Sequence, residues 1–203
     1  FNILSYLYKG EVMVRHHKLF WGSSYDRGLD ILLPMWSKIK GKHPDATLEI
    51  CYGWNLFEAG YRDNAQRMEW MRKINEQIKQ DGITHHGRVG KKELDKIRGE
   101  TGIWVYPTYF PEIFCITAMD CQLQGVVPVV INYAALKETV QSGVKVDGDV
   151  FDKETQDKWL DELLKLMGDE KRWQKESEIA KKVAKDYSWD KISHLWAIEF
   201  EKE

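Results

Sequence analysis

Residues 102–131 read GIWVYPTYFPEIFCITAMDCQLQGVVPVVI, and this stretch contains the unit from which the fold is built. Two short apolar runs, residues 102–106 and 126–131, flank residues 115–124, whose pattern predicts a helix. An apolar run, a helix and a second apolar run are typical of a βαβ unit with parallel strands. The stretch therefore predicts a parallel sheet with helices packed against it.

The same alternation continues in both directions along the chain. Apolar runs predict strands at residues 18–22, 47–52, 83–86, 102–106, 126–131 and 144–146. Helical patterns occupy residues 28–40, 64–80, 91–98, 115–124, 135–142, 153–167, 169–186 and 189–202. This order predicts an α/β fold: a Rossmann-like, doubly wound, mostly parallel sheet of about six strands with extra C-terminal helices. Pro128 suits an edge strand or a bulge, because proline cannot donate a hydrogen bond to a neighbouring strand.

Length and composition indicate one domain. The 203 residues are 43% hydrophobic and 31% charged, which is ordinary for a globular protein with a substantial core. We expect residues 18–203 to form the domain and residues 1–17 to be a lead-in segment. Because the chain begins at Phe1, we also expect it to be part of a longer protein.

Charge and cysteine content restrict the partners and the compartment. The formal net charge of −2 argues against nucleic acid as a partner, because binding to its phosphates requires a basic surface. Cys51, Cys115 and Cys121 lack Cys-x-x-Cys spacing and indicate free thiols in a reducing compartment. No apolar run approaches the ~20 residues that a transmembrane helix needs. We therefore expect a cytoplasmic protein without a transmembrane segment.

The loop after the first predicted strand has the composition of an anion site. Residues 22–28 read GSSYDRG and lead into a helix N-terminus, where free N–H groups and the helix dipole favour an anion. The hydroxyls of Ser23 and Ser24 and the guanidinium of Arg27 suit a phosphate or a pyrophosphate. The alternative is that one serine caps the helix and that Arg27 is an ordinary surface residue.

Two carboxylates follow the fourth predicted strand. Glu112 lies in the loop after the strand, and Asp120 lies eight residues later within the next helix. A carboxylate can accept hydrogen bonds from two neighbouring hydroxyls, which suits a hexose or a ribose diol. Residues 113–116 open this helix and offer backbone N–H groups to a phosphate. The alternatives are that Glu112 only interacts with the helix dipole and that Asp120 lies on a solvated face.

Other conspicuous residues have simpler explanations. His85 and His86 are adjacent on a predicted strand and should point to opposite faces, so that they would not bind one metal ion together. Cys115 has no histidine or second cysteine at a spacing that suits a catalytic thiol. We interpret as packing residues the helical tryptophans Trp159, Trp173, Trp189 and Trp196.

The motifs together resemble a known family: the C-terminal, donor-binding domain of retaining GT-B glycosyltransferases of family 4, or group 1. That family carries a Pro-Ser-x-x-Glu-x-Phe-Gly stretch, a second Glu eight residues after the first, a Gly before a Pro-Val-Val strand, and a further Glu and Gly. This chain reads Pro107-Thr108, Glu112-Ile113-Phe114-Cys115, Asp120, Gly125, Pro128-Val129-Val130, Glu138 and Gly143. The resemblance extends from about Lys18 to Leu195.

The resemblance implies a role for each candidate residue. Arg27 would contact the donor diphosphate, and Ser23 or Ser24 stands where the family often has Arg. Glu112 would hold the transferred sugar, and Asp120 would hold the ribose. The other implied donor-binding residues are Arg88 and Val89 beside the base, Ile113, Phe114, Cys115 and Ile116 around the sugar and phosphates, and Glu138 on the nucleotide side.

This chain departs from the family pattern at three places. Asp120 replaces the second Glu and shortens its reach by one methylene. Cys115 replaces a Gly, and its Cβ narrows the approach of a pyrophosphate to the backbone. Ser23 and Ser24 remove a cation from the first loop.

The implied reaction is transfer of a sugar from a nucleoside diphosphate sugar to an acceptor hydroxyl with retained anomeric configuration. The catalytic residues would be Glu112 and Arg27, with no metal ion and no other cofactor required. The partners would be the nucleotide sugar and an N-terminal acceptor-binding domain outside this chain, through which the protein could associate peripherally with a membrane. The isolated chain should therefore bind donor but transfer little or no sugar. Two alternatives stay open: a degenerate, non-catalytic nucleotide-sugar-binding module and a nucleotide-sugar epimerase.

Overall fold

Six parallel strands form one sheet in the computed structural model, which describes residues 15–201. The strands are β1 Lys18–Trp21, β2 Thr47–Cys51, β3 Ile83–Gly87, β4 Ile103–Tyr106, β5 Val127–Ile131 and β6 Val144–Val146. Their order across the sheet is β3-β2-β1-β4-β5-β6, which is the Rossmann order. The predicted fold class and all six predicted strands are confirmed, with strand ends that differ by one residue in most cases.

The helices lie between and after these strands. Their bounds are α1 Leu29–Leu32, α2 Trp36–Lys42, α3 Asn55–Tyr61, α4 Ala65–Gln77, α5 Lys91–Glu100, α6 Ile116–Leu123, α7 Leu136–Thr139, α8 Lys153–Met167, α9 Glu170–Ala184 and α10 Trp189–Phe200. From β1 the chain continues to β2, toward one edge of the sheet, and from β4 it continues to β5, toward the other edge. Because the crossovers between parallel strands are right-handed, the connecting helices of the two halves pack on opposite faces of the sheet. Within residues 15–201, no helix is long and apolar enough to cross a membrane.

The centre of the sheet is the pair β1 and β4. Leu19 lies opposite Ile103, and Phe20 lies opposite Trp104. All four side chains are fully buried, as expected for strands that are covered on both faces. Because the chain leaves β1 toward one edge of the sheet and β4 toward the other, this pair marks the place where doubly wound sheets form a ligand-binding crevice.

The predicted helix at residues 28–40 is wrong in one respect, because it is interrupted. A 3-10 turn at Leu33–Met35 separates α1 from α2. Pro34 lies in this turn and has no N–H for the i→i−4 hydrogen bond of a continuous α-helix, and its ring would clash with the preceding turn. The apolar face was predicted correctly, because its residues are all buried: Leu29, Leu32, Leu33, Trp36 and Ile39.

The loop predicted between the second strand and the helix at 64–80 contains the additional helix α3. Its Phe57 is buried and packs near Trp54 and Trp70, with ring centroids 5.3 Å from each. Gly60 lies within α3, where glycine is unfavourable for helix formation. A long-range aromatic cluster therefore stabilises a helix that local propensity does not favour.

Pro128 occupies an interior strand, so the predicted edge position or bulge is wrong. β5 pairs with β4 on one side and with β6 on the other. The amide of Val127 donates to Gly102 O, toward β4, so the nitrogen of Pro128 faces the β6 side by strand alternation. There β6 begins opposite Val129. The missing N–H therefore costs no ladder hydrogen bond.

Helix α9 packs along α6 and closes the amino-terminal side of the sheet. Trp173 Nε1 donates to Gly102 O at 2.9 Å, and Ser177 Oγ donates to Gly125 O at 2.7 Å. Arg15 reaches the same end, where its Nε donates to Thr101 O at 2.7 Å. Arg15–His17 form a 3-10 turn, and the rest of the predicted lead-in segment lies outside the described residues.

The tryptophan interpretation is confirmed in part. Trp159 is fully buried and Trp173 is 9% exposed. Trp196 is 59% exposed on the surface of α10, so its interpretation as a packing residue is wrong.

Three histidine rings lie together near the start of the sheet. His17 is 4.6 Å from His16 and 4.4 Å from His43, between ring centroids. His17 Nδ1 pairs with the Asp45 carboxylate at 2.7 Å. Burial, reinforced by the neighbouring His17, lowers the pKa of both His16 and His43. The folded chain therefore resists protonation at these two rings.

We expect the free energy of unfolding to decrease as the pH falls below about 6.5. The unfolded chain takes up protons at its histidines in this range, whereas buried His16 and His43 take them up only at lower pH. Urea unfolding at pH 7.5, 6.5 and 5.5 measures the decrease. His43→Gln should reduce it, and the control His194→Gln, on exposed α10, should leave it unchanged. An equal decrease in the His43 variant would contradict the assignment.

A close contact between two loops fixes the crevice at the carboxyl ends of β1 and β4. Gly28 has φ of 118°, in the left-handed region, and a Cβ at this position would lie 2.3 Å from Pro107 O. The loop after β1 therefore rests directly on the backbone that follows β4.

Gly28→Ala should destabilise the protein by about 2 kcal/mol or more, since it adds both backbone strain and a steric overlap. Gly41→Ala is the matched control, because nothing lies within 4 Å of its Cβ position in α2. That variant should be neutral or slightly stabilising. Urea unfolding of both variants checks the difference, and equal stabilities would show that the loops can separate at no cost.

Candidate functional site

The loops after β1 and β4 bring an arginine and a glutamate together. Arg27 Nη1 donates to Glu112 Oε1 at 3.0 Å, although the two residues are 85 positions apart. Side-chain exposure is 32% for Arg27 and 10% for Glu112. The pair lies where ligands bind in doubly wound sheets, at the point where the strand order reverses.

Tyr106 and Ser23 support the glutamate from below. The hydroxyl of Tyr106, the last residue of β4, donates to Glu112 Oε1 at 2.7 Å and lies 3.2 Å from Ser23 Oγ. Burial raises the pKa of this hydroxyl, and the adjacent Glu112 raises it further, so the proton stays on Tyr106. Trp21 Nε1 donates to Ser23 O at 2.8 Å and holds the start of the loop. Glu112 is thus fixed in one orientation.

The guanidinium of Arg27 is also fixed by an aromatic ring. It lies 3.8 Å from the centroid of Phe110, in a cation–π contact. Burial lowers the pKa of Arg27, but the neighbouring Glu112 and Tyr106 side chains outweigh this, Glu112 most strongly, and the net shift is upward. Arg27 therefore keeps its positive charge at neutral pH.

The two serines do not present free hydroxyls to the crevice in this arrangement. Ser23 is buried against Tyr106. Ser24 precedes a 3-10 turn at Tyr25–Arg27, and its Oγ donates to Asp26 Oδ1 at 2.6 Å instead of capping the turn. Arg27 is the cationic member of the loop.

Asp120 is held by a different arginine. Arg98, at 4% side-chain exposure, pairs with Asp120 Oδ2 at 3.2 Å and with Asp95 at 2.6 Å. Its Nε donates to Gln124 Oε1 at 2.8 Å. The structure therefore places Asp120 in a charge network between α5 and α6, while Glu112 belongs to the network with Arg27. Within the described part of the chain, the two carboxylates share no ion-pair partner.

The N-terminus of α6 lies beside the pair. Thr117 Oγ1, in its first turn, is 3.5 Å from Gly22 O at the end of β1. Cys115 is the N-cap residue, is 5% exposed and makes no side-chain capping bond. The three apolar side chains around it point outward, with exposures of 95% for Ile113, 52% for Phe114 and 67% for Ile116.

The loops after β2 and β3 form a second part of the crevice. A Cβ on Gly53 would lie 3.0 Å from Arg88 Cβ and 3.2 Å from Arg88 N. Arg88 is exposed, and Val89 is half-buried and packs against the core. Beside them, His85 Nε2 lies 2.6 Å from the hydroxyl of Tyr25, in the β1 loop.

His85 and His86 point to different partners. His86 Nε2 lies 2.6 Å from Glu49 Oε2 on β2, whereas His85 contacts Tyr25. Within residues 15–201, no group of three metal-ligating side chains is arranged to hold a metal ion. Glu138 lies elsewhere on the same side, exposed on α7, where its carbonyl accepts from the Tyr187 hydroxyl at 3.4 Å.

Three residues of these networks are not evident from the sequence: Tyr106, Phe110 and Arg98. Tyr106 ends an apolar strand and Phe110 lies two residues before Glu112, so the sequence alone indicates no separate role for either residue. Arg98 lies in the last turn of α5, whose mostly polar sequence is typical of an exposed helix. A buried arginine in that position leaves no local sequence signal, because its partners come from another helix.

Comparison with known proteins adds independent information. The model of the family described as Glycosyl transferases group 1 matches residues 23–184. A search of curated proteins by sequence found no match. Among solved structures, the pneumococcal O-GlcNAc transferase GtfA in complex with UDP and GlcNAc is 16% identical, with a TM-score of 0.67 over 93% of this chain and 36% of that chain.

Two further structures share the fold. Anabaena HepE in complex with UDP is 14% identical, with a TM-score of 0.70 over 94% of this chain and 50% of that chain. The C-terminal domain of LpcC, a group 1 family protein from Francisella tularensis, is 16% identical, with a TM-score of 0.63 over 85% of this chain and 86% of that domain. This chain thus spans 36% of GtfA and 50% of HepE, and most of the isolated C-terminal domain.

The cysteines near the site should be unreactive in the folded protein. Burial raises the pKa of Cys115 and of Cys51 to about 12, and it also raises that of Cys121. With Ellman's reagent at pH 8, we expect negligible fast reaction of the native chain and three reactive thiols in denaturant. Ile113→Cys, at an exposed position beside Cys115, is the positive control and should react at once. A fast thiol in the unmodified native chain would contradict the prediction.

Proposed function

The chain belongs to the group 1 glycosyl transferase family, and from that premise we propose that it binds a nucleoside diphosphate sugar in the crevice above β1 and β4. The sugar is transferred to an acceptor hydroxyl with retention of the anomeric configuration. The acceptor site belongs to an N-terminal domain outside this chain, so the isolated chain binds donor but transfers little or no sugar. The three buried thiols support a reducing, cytoplasmic location.

The observation that carries this proposal is the convergence of Arg27 and Glu112. A donor of this class has two negatively charged phosphates next to a sugar rich in hydroxyls. The crevice offers a cation and a hydroxyl acceptor 3.0 Å apart, positioned by two different loops. The N-terminus of α6 lies beside both and adds a further favourable potential for the phosphates.

Arg27 stabilises the leaving group in this proposal. As the bond between the sugar and the diphosphate breaks, negative charge accumulates on the diphosphate, and a fixed guanidinium lowers the energy of that state. The guanidinium has five N–H donors, and the described ion pair uses Nη1. The remaining donors can therefore bind phosphate oxygens without loss of the contact to Glu112.

Glu112 positions the transferred sugar. Arg27 and Tyr106 both donate to Oε1, which leaves Oε2 as the oxygen for a sugar hydroxyl. Because two hydrogen-bond donors, one of them the buried Tyr106, fix the carboxylate, its orientation is set before the nucleotide sugar binds, and less entropy is lost on binding.

The nucleoside occupies the part of the crevice above β1, β2 and β3. Asp120 accepts from the ribose through Oδ1, since Oδ2 faces Arg98. Arg88 and Val89 border the base, and the backbone at residues 113–116, with Glu138 farther along, completes the proposed donor site. No metal ion or other cofactor is needed in this scheme, because the charge of the diphosphate is met by Arg27 and by backbone N–H groups.

A non-catalytic binding module is the second candidate. Its supporting observation is that Glu112 already neutralises Arg27, while Ser23 is buried and offers no replacement for a second cation. Such a module would bind nucleotide weakly or not at all. A nucleotide-sugar epimerase would bind the nucleotide equally well, but it would release the epimer without any acceptor.

Calorimetric titration of the chain with UDP, GDP and ADP and their sugar conjugates tests the proposal. UDP is the first ligand to test, because the similar structures of GtfA and HepE both contain it. We expect one nucleotide to bind, and Arg27→Ala to weaken it about tenfold or more, in line with the loss of a charge-assisted contact. Arg72→Ala is the matched control, since Arg72 is 73% exposed on α4 and pairs with Glu69.

Asp120→Asn refines the same titration. Asparagine keeps an oxygen for Arg98 but removes the charge, so the fold is retained better than with alanine. The variant should bind nucleotide less tightly with an unfolding midpoint close to that of the parent. Undetectable binding of every nucleotide, even with the N-terminal domain restored, would favour the non-catalytic module.

A further inference from the structure

A cavity lined in part by the loop after β4 has no role in the proposed donor site. Its volume is about 400 Å³, which is within the range of small-molecule sites. It lies at the carboxyl ends of β5 and β6, next to the loop that follows β4. The residues that define its chemistry are Tyr109, Tyr133, Asp149 and Phe151.

Three aromatic rings line this cavity. Tyr109 and Phe151 are stacked, with ring centroids 5.1 Å apart and planes at 30°. Phe151 is 63% exposed and Tyr133 is 43% exposed. Aromatic faces left in water around a concave surface are unfavourable unless an apolar face of a ligand covers them, so they indicate a binding site.

The polar side of the cavity is a fixed carboxylate. The backbone amide of Phe151 donates to Asp149 Oδ1 at 2.9 Å, and the amide of Asp152 donates to Asp149 O at 3.0 Å. Gly148 fixes the turn before it, with φ of 133° and no room for a Cβ against Thr155. Asp149 is therefore held in place before any ligand binds, and its carboxylate can accept from hydroxyls.

The charge of the cavity excludes anions. Among residues 15–201, no lysine or arginine belongs to its lining, which contains Asp149. Asp147 and Asp152 flank Asp149 in sequence. A phosphate or a nucleotide is thus repelled, whereas a neutral sugar ring presents an apolar face to the aromatic rings and hydroxyls to the carboxylate.

The cavity shares its supports with Glu112. Tyr109 precedes Glu112 by three residues in the loop after β4. Tyr133 precedes Ala135 by two residues, and the amide of Ala135 donates to Glu112 O at 3.1 Å. A ligand in the cavity therefore lies on the same two loops that position the proposed catalytic carboxylate.

We propose that this cavity binds a neutral sugar ring, and that the ring belongs to the carbohydrate chain on which the enzyme acts. The assignment of the ring to the acceptor rests on the proposed function, whereas the binding of a neutral sugar does not. The donor-binding domain would then contribute to acceptor recognition, with the aromatic rings holding the carbohydrate chain and Asp149 selecting against anionic sugars.

Saturation-transfer difference NMR on the full 203-residue chain tests the binding. The probes are methyl glycosides of glucose, galactose, mannose and N-acetylglucosamine, with maltose and cellobiose, and glucose 6-phosphate as the charged comparison. We expect transfer to the ring C–H protons of at least one neutral probe and weaker transfer to glucose 6-phosphate. Phe151→Ala should weaken that binding about fivefold or more. Phe200→Ala is the matched control, since Phe200 is 68% exposed on α10 and lies outside the cavity lining.

Two outcomes would overturn the proposal: no transfer to any neutral probe at millimolar concentration, or equal transfer in the parent and in Phe151→Ala. Asp149→Asn keeps the contact to the amide of Phe151 and should reduce the discrimination against glucose 6-phosphate. Nucleotide titration of the Phe151 variant should match that of the parent. Failure of the neutral sugars to bind while the nucleotide binds would leave the proposed function intact, and failure of the nucleotide alone would leave the cavity assignment intact.

Discussion

The pairing of β1 with β4 at the centre of the sheet is the interaction on which the candidate site depends. It places two loops next to each other that are separated by about eighty residues in sequence. The contact of Gly28 with Pro107 O then brings them to van der Waals distance. Once these contacts are made, Arg27 and Glu112 have little freedom to be apart. The geometry of the site follows from the core of the sheet, which is also the most buried part of the molecule.

This arrangement has an electrostatic consequence for ligand binding. A half-buried cation without a counter-charge would be costly, and Glu112 provides the counter-charge in the absence of donor. A diphosphate that enters the crevice adds negative charge to a pair that is already neutral. In the proposed site, affinity therefore comes from the remaining guanidinium donors and from the N-terminus of α6, while the proposed contacts of Glu112 with sugar hydroxyls add orientation. Because Glu112 neutralises Arg27 in the free protein, the site contains no unpaired half-buried charge that would destabilise the fold. The two side chains can therefore be positioned before a ligand binds without a loss of stability.

The sequence predicted the sheet well because its strands are buried on both faces and read as continuous apolar runs. It failed where distant residues decide the local structure. Pro34 interrupts a helix whose apolar face is otherwise continuous, and α3 forms because Phe57 packs into aromatic rings from α4 and the β2 loop. Pro128 is tolerated inside the sheet because β6 starts one residue later. The spacing of the motifs predicted Glu112 and Arg27 as site residues. The residues that hold the candidate side chains, Tyr106, Phe110 and Arg98, are identified only in the folded structure, because their contacts are made between distant parts of the chain.

Asp120 has a structural role in the ion pair with Arg98 and a proposed functional role toward the ribose. The buried guanidinium of Arg98 requires acceptors, and Asp95, Asp120 and Gln124 provide them from two helices. An aspartate reaches this arginine through Oδ2 while its side chain stays 32% exposed, which leaves Oδ1 for the proposed contact with ribose. The ion pair also limits the rotation of the carboxylate, which favours a single orientation toward the proposed ribose. The family pattern has a glutamate at this position, and Asp120 is shorter by one methylene. Its side chain is compatible with the proposed donor site because the ion pair with Arg98 holds the carboxylate in place.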